Sequence, residues 1–262
     1  MDIGGICSGH PALRDRNVRL AMAHAVNKQR LVDELFLGLA DPGLTLIPKG
    51  LGVFYNSSIK DYEFDVDKAN QLLDDAGYHD VNADGVRDMP DGERSLSFRM
   101  EWPDSIPYAE TEAELLRNMW SQIGIDVQLR MVTSEDLTAR CCPTFDYDII
   151  LWEWEADPDP DFLLSVMSSG EISSGTNETG YSNPEYDALY EKQAVEMDKE
   201  ARLRYIWQMQ SIVHTDVVYI IPAYQKVVAA YRTDTFRGWP IESSKIDLDA
   251  ISSLAVIELI GQ

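Results

Sequence analysis

Residues 95–132 order a strand, a helix, a glycine and a second strand, and that order restricts the chain to α/β folds. Leu96, Phe98 and Met100 alternate over 95–102 as in a half-buried strand. Pro107 suits the first position of a helix, along which Leu115, Leu116, Met119 and Trp120 recur at helical spacing as far as Ile123. Gly124 closes that helix, and Ile125, Val127, Leu129 and Met131 then alternate on one face of the next strand. Helix, glycine and strand in this order form a crossover unit.

The flanking sequence supplies further elements of the same kind. Val18, Met22 and Ala25 space a helix over 15–25, and Asn27 caps a second over 28–37 that buries Leu31 and Leu35 and ends at Gly38. Prolines and glycines make 41–60 a long loop. Asp65 caps a helix that turns Ala69, Leu72, Leu73 and Ala76 inward and stops at Gly77. Later helices are predicted over 133–139, over 161–168, from Asn183-Pro184, and from Asp198 with Leu203, Ile206, Trp207, Met209, Gln210 and Val213 on its long face. Residues 217–223 form a continuous apolar strand interrupted by Pro222, residues 227–231 suggest one more, and the pattern weakens from Thr233.

Chemistry concentrates in 145–163 (FDYDIILWEWEADPDPDFL). An apolar run over 147–152, without strict alternation, reads as a strand covered on both faces. It passes directly into Trp152 and Trp154 and a chain of acids, Glu153, Glu155, Asp157, Asp159 and Asp161. An open α/β sheet places its ligand crevice at the carboxyl end of such a strand. Indole faces there offer apolar contact area, and a neighbouring carboxylate can anchor an amine or another donor. The structural alternative is a core tryptophan followed by a solvated acidic turn. Tyr181 and Tyr224 carry the same two readings, as crevice lining or as core aromatics with hydroxyls at the surface.

Charge narrows the partners. Forty-five acids against 22 bases give a net charge of −23, which disfavours nucleic acid and anionic membranes because phosphates are repelled. No apolar run of about 18 residues is present to span a bilayer. Met1 leads into Asp2, Ile3 and two glycines without an apolar signal region, which leaves a cytoplasmic protein or a piece of a longer exported chain. Cys7, Cys141 and Cys142 form no CxxC or Cys/His ligand pattern.

Residues 80–91 (DVNADGVRDMPD) resemble a calcium loop, with Asp80, Asn82 and Asp84 at alternate positions, Gly85 at the sharp turn, the Val86 carbonyl, Asp88 and Asp91. Asp91 is shorter than the usual bidentate glutamate, and a strand follows in place of a helix, so a plain turn is the competing reading. Calcium is the one cofactor the residues leave open. The acids of 153–161 also permit a glycosidase pair, which needs two carboxylates about 5–10 Å apart with opposed pKa values. Nothing else supports an enzyme: His10, His24, His79 and His214 are scattered, and no GxSxG motif occurs.

Six strings, in order, resemble the carboxyl-terminal half of the extracellular solute-binding proteins of family 5, the dipeptide, oligopeptide and nickel receptors of ABC importers. They are 17–32 (NVRLAMAHAVNKQRLV), 65–78 (DVDKANQLLDDAGY), 123–127 (IGIDV), 145–163, 180–189 (GYSNPEYDAL), and 219–222 (YIIP) leading to 236–239 (FRGW). Members are about twice this length, so the resemblance implies the isolated second lobe of a longer exported receptor, and it accounts for the missing signal region. The implied fold is a mixed central sheet with helices on both faces, one lobe of a two-lobed periplasmic-binding-protein-like (class II, cluster C) fold. Residues 1–224 would form the ligand-binding lobe, and 225–262 the return segment toward the first lobe. The implied function is extracytoplasmic, periplasmic or cell-surface capture of a peptide or similar small solute, with a permease and the amino-terminal lobe as partners and no catalysis. Alignment on Trp152 and Phe162 puts the acid that pairs with a peptide's amino group at Glu155.

Overall fold

The computed structural model describes residues 8–141, 144–226, 228, 230, 232–239 and 257–260. Helix α1 (Arg16–Ala25) opens the fold, with the Asp15 carboxylate accepting from the Asn17 amide at 2.8 Å. Helix α2 (Lys28–Glu34) is capped by Asn27, as its sequence predicts, but ends early because Leu37 and Gly38 turn left-handed at φ 50° and 78°. Strand β1 (Ala40–Pro42) precedes the long loop, and Asp65 caps α3 (Val66–Asp75). Then come β2 (Ser97–Pro103), α4 (Ala109–Trp120), β3 (Asp126–Val132), α5 (Ser134–Cys141) and the two-residue β4 (Ile149–Ile150). The short α6 (Asp161–Ser165) is followed by α7 (Pro184–Val195), capped by Asn183, and α8 (Lys199–Asp216), capped by Asp198. Strands β5 (Ala223–Gln225), β6 (Phe236–Arg237) and β7 (Glu258–Leu259) complete the described elements.

The α/β organisation is as expected, with parallel and antiparallel pairings held in separate small sheets. Strand β2 lies between β3 and β4, parallel to both, with Met100 opposite Leu129 and Ile149. Strands β1 and β5 pair antiparallel, as do β6 and β7. One face of β2 sends Phe98, Met100 and Trp102 into a core with Val18, Leu73, Met119 and Ile125. On the other face the buried Glu101 meets Arg130 of β3 at 3.4 Å and Arg140 of α5 at 3.2 Å, so helices cover both sides. A second core gathers Leu164, Tyr186, Ile206 and Met209 from α6, α7 and α8. Arg19 joins the two: its guanidinium donates to the Asp216 and Val217 carbonyls at 2.8 and 2.9 Å, satisfying groups that the end of α8 leaves without helical partners.

Several boundaries differ from the sequence reading. The strand predicted over 147–152 pairs only at Ile149 and Ile150, because the Asp148 side chain takes the Arg99 amide at 2.8 Å and displaces the ladder there. Helix α4 starts beyond Pro107, at Ala109. The apolar stripe of β3 is covered only at its start: Val127 is buried, whereas Met131 is 60 % exposed. The predicted strand over 217–223 forms no ladder before Ala223, since Val217 is left-handed at φ 51° and Pro222 lacks a donor. The boundary placed after Tyr224 falls inside β5. Residues 227, 229 and 231 of the further predicted strand, and Cys7 and Cys142, lie outside the described residues.

In place of a ladder, the 217–223 segment rests on Gly43, whose amide donates to the Pro222 carbonyl at 3.1 Å. A Cβ at Gly43 would stand 2.4 Å from the Ile221 carbonyl oxygen and 2.6 Å from its Cγ2. Backbone cannot yield as a flexible side-chain tip does. Gly43→Ala is therefore expected to destabilise the chain by about 1–3 kcal/mol in urea unfolding.

Candidate ligand-binding site

The carboxyl ends of β2 and β4 converge on one acidic and aromatic edge. Strand β4 runs directly into the tryptophan–acid loop, where Trp152 is 39 % exposed and Glu153 is exposed. The chain leaving β2 brings Tyr108, whose hydroxyl donates to Glu153 Oε2 at 2.5 Å. From β5, Gln225 donates to the Tyr108 hydroxyl and reaches Glu153 Oε2 at 3.4 Å. Phe36 packs edge-on against Tyr108 at 5.2 Å. Three segments distant in sequence thus meet at Glu153.

Glu112, in the first turn of α4, faces the same charge. Burial first, and then Glu153, push its carboxyl from 4.5 up to about 7. An acid whose pKa is raised by folding holds its proton more tightly in the native state. Its contribution to stability is complete below 4.5 and is lost as pH rises through about 7. Glu112→Gln is expected to remove that loss, so the variant gains on the wild type by on the order of 1–2 kcal/mol between about pH 4.5 and pH 8 in denaturant titrations.

Trp154 occupies a different position from Trp152. It is half-buried against the second core, edge-on to Trp152 at 6.2 Å and to Phe162 at 5.5 Å. Its indole N–H donates to Glu178 Oε1 at 3.1 Å, and the Tyr219 hydroxyl donates to the same oxygen at 2.8 Å. The Tyr147 hydroxyl donates to the Glu178 carbonyl. Glu178 is 4 % exposed, and burial pushes its carboxyl up despite the two donors.

The remaining acids separate. Glu155 and Asp157 are exposed, and among the described residues neither carboxylate has a hydrogen-bond partner. Asp159 pairs with Arg202 through two 2.7 Å bonds, which hold its carboxyl below the usual range. Asp161 accepts from Gln193 at 2.6 Å. A glycosidase pair drawn from these acids therefore loses Asp159 and Asp161 to packing between helices.

Two of the aromatic candidates are pins. Tyr181 is 3 % exposed within the second core, and its hydroxyl donates to Asp216 at 2.5 Å. Tyr224 accepts from the Leu44 and Thr45 amides at 3.0 and 2.7 Å and donates to the Thr45 carbonyl at 2.5 Å. Tyr181 lies in the core and Tyr224 is half-buried, and the hydroxyls of both already have protein partners. The structure brings Tyr108, Glu112, Glu178, Tyr219 and Gln225 up to the tryptophan–acid loop. Tyr108 and Glu112 had a signal in sequence, since they follow the carboxyl end of a parallel strand. Glu178 had none.

The 80–91 loop closes on its own backbone. Asp80 accepts from the Asp84 and Gly85 amides at 3.2 and 2.9 Å, and Asp84 accepts from Val86 at 2.8 Å. Asn82 accepts from the Asp84 amide at 2.9 Å. Asp88 is buried and accepts from the Val81 amide at 3.1 Å, and Asp91 accepts from the Glu93 amide at 3.0 Å. Among the described residues no group of three or more His, Cys, Asp or Glu side chains is placed to hold a metal ion. Millimolar calcium is expected to leave the melting temperature unchanged; a rise that Asp84→Ala abolishes would restore the cation reading.

Residues 4–175 match the family described as bacterial extracellular solute-binding proteins, family 5 Middle. The chain belongs to that family. It is 29 % identical over 180 residues to the oligopeptide-binding protein AppA of Bacillus subtilis, covering 67 % of this chain and 32 % of that protein. It is 28 % identical over 205 residues to heme-binding protein A of Haemophilus influenzae, covering 78 % and 35 %. The solved structure of Bacillus subtilis AppA in complex with a nonapeptide superposes with a TM-score of 0.77 at 25 % identity, over 94 % of this chain and 48 % of that one. The chain thus spans about a third of the length of these curated relatives. Family 5 members are binding proteins, and among the described residues no helix is long and apolar enough to cross a membrane.

Proposed function

We propose that this chain is one lobe of an extracytoplasmic receptor that captures a peptide or similar small solute for an ABC importer. The exposed Trp152, set beside the Tyr108–Glu153 pair at the carboxyl edge of a parallel sheet, carries the reading. An open indole face gives apolar area without demanding a particular side chain, and the exposed acids of the same loop suit ligand donors. The nonapeptide held by the AppA relative supports a peptide-sized ligand. The amino-terminal lobe of the same protein supplies the opposing wall, and a permease receives the cargo.

Half a crevice forfeits closure and the desolvation that strengthens polar contacts. Calorimetry on this chain alone is expected to detect weak or no peptide binding, and submicromolar affinity would overturn the one-lobe reading. In the full-length receptor, Trp152→Ala is expected to weaken peptide binding with little effect on stability, because the ring is already 39 % exposed. Glu155→Gln should cost about 2 kcal/mol or more, roughly 30-fold, if closure desolvates its bond to a ligand ammonium. An unchanged affinity would move that anchor elsewhere in the site.

A further inference from the structure

Glu178 does more than its place in an irregular loop suggests. The residue is 4 % exposed, and Oε1 receives both the Trp154 indole N–H and the Tyr219 hydroxyl, while Oε2 is buried and has no partner among the described residues. Its carbonyl receives the Tyr147 hydroxyl. Three aromatic side chains from three segments therefore end on one residue: Tyr147 before β4, Trp154 after it, and Tyr219 on the stretch that leads into β5. Burying an acid this deeply is unfavourable, and one oxygen gains nothing in return. A residue kept for packing alone would be apolar here.

We propose that Glu178 is a positioning residue: it sets the plane of the Trp154 indole, and through it the aromatic surface that Trp152 and Trp154 present to a ligand. The ligand clause rests on the receptor reading above; the indole clause does not. Trp152 stands edge-on to Trp154 at an interplanar angle of 66°, so a rotation of the inner ring changes the surface against which the outer one packs. Without its acceptor the buried indole N–H would seek another partner, and the ring would turn to find it. Both donors use one oxygen, so glutamine can replace glutamate here without losing the bond that orients the ring.

The test follows tryptophan indole resonances by proton–nitrogen NMR on this chain, with the Trp154 signal assigned by its absence in Trp154→Phe. The Trp120 indole, which donates to the Met22 carbonyl at 3.0 Å in the first core, reports whether the fold is intact. Glu178→Leu is expected to shift the Trp154 signal and speed its exchange with solvent while Trp120 stays in place, and Glu178→Gln to leave both near wild type. Should the leucine variant fail to fold, Glu178→Asp withdraws the acceptor by one methylene, keeps the charge, and is expected to displace the same signal. A wild-type Trp154 resonance in a folded leucine or aspartate variant would overturn the proposal.

In the full-length receptor, Glu178→Leu is expected to lower peptide affinity about tenfold, and to lower it no further in a Trp154→Phe background. Effects that multiply in the double variant would mean that Glu178 does not act through the indole, which also overturns the proposal. A wild-type receptor that binds no peptide would sink the functional reading, and the indole measurement would still decide the role of Glu178.

Discussion

Strand β4 is two residues long, and the placing of the tryptophan–acid loop that follows it depends on how it is held against β2. So short a ladder supplies too few backbone hydrogen bonds to set its own register. Asp148 supplies the rest. Its side chain is 2 % exposed and accepts from the His10 amide at 2.7 Å, the Arg99 amide at 2.8 Å and the Arg99 Nε at 3.1 Å. Amide and guanidinium donors from two segments hold that buried carboxylate in one place. Arg99 in turn is raised well above its ordinary range by its bonds to Asp148 and Asp146. This cluster fixes where the chain leaves the sheet, and hence where Trp152 and Glu153 begin.

From that fixed exit the loop divides its side chains between two environments. Trp152, Glu153, Glu155 and Asp157 stay toward solvent, whereas Trp154 and Ala156 pack on the second core. From Glu153 to Asp157 alternation does the sorting, as in a strand, although no strand is present there, and Trp152 stands outside that pattern. The inner residues then need polar partners for whatever they bury, and Glu178 answers the indole of Trp154. The edge is tied further by Tyr108 and Gln225, which bring the end of β5 to the same acids. The candidate surface and the chain exit are therefore tied by the same side chains.

Chain order and spacing in the sequence were enough for the family and for much of the fold. Asn27, Asp65, Asn183 and Asp198 each precede a helix and each accepts one of its first amides. These interactions span two or three residues, so composition and spacing reveal them. The β2–α4–β3 unit was legible for the same reason, since its periods change within a short window. Pro107, by contrast, suited a helix start that the chain delays to Ala109, because nothing local says which of two adjacent turns will propagate.

Sequence alone thus determined the α/β class, the capped helices and the location of an aromatic–acid loop after a strand, though that strand is short and half-buried where the sequence predicted cover on both faces. Tertiary structure alone decided which members of that set face solvent. Tyr181 and Trp154 look as exposed in sequence as Trp152, yet Tyr181 lies in a core and Trp154 is half-buried. Glu178 sits in a polar stretch that any reading would leave in solvent, and it is buried because Trp154 and Tyr219, 24 and 41 residues away, require an acceptor there. Burial of a polar group is settled by partners that arrive from elsewhere in the chain, and their arrival leaves no local trace.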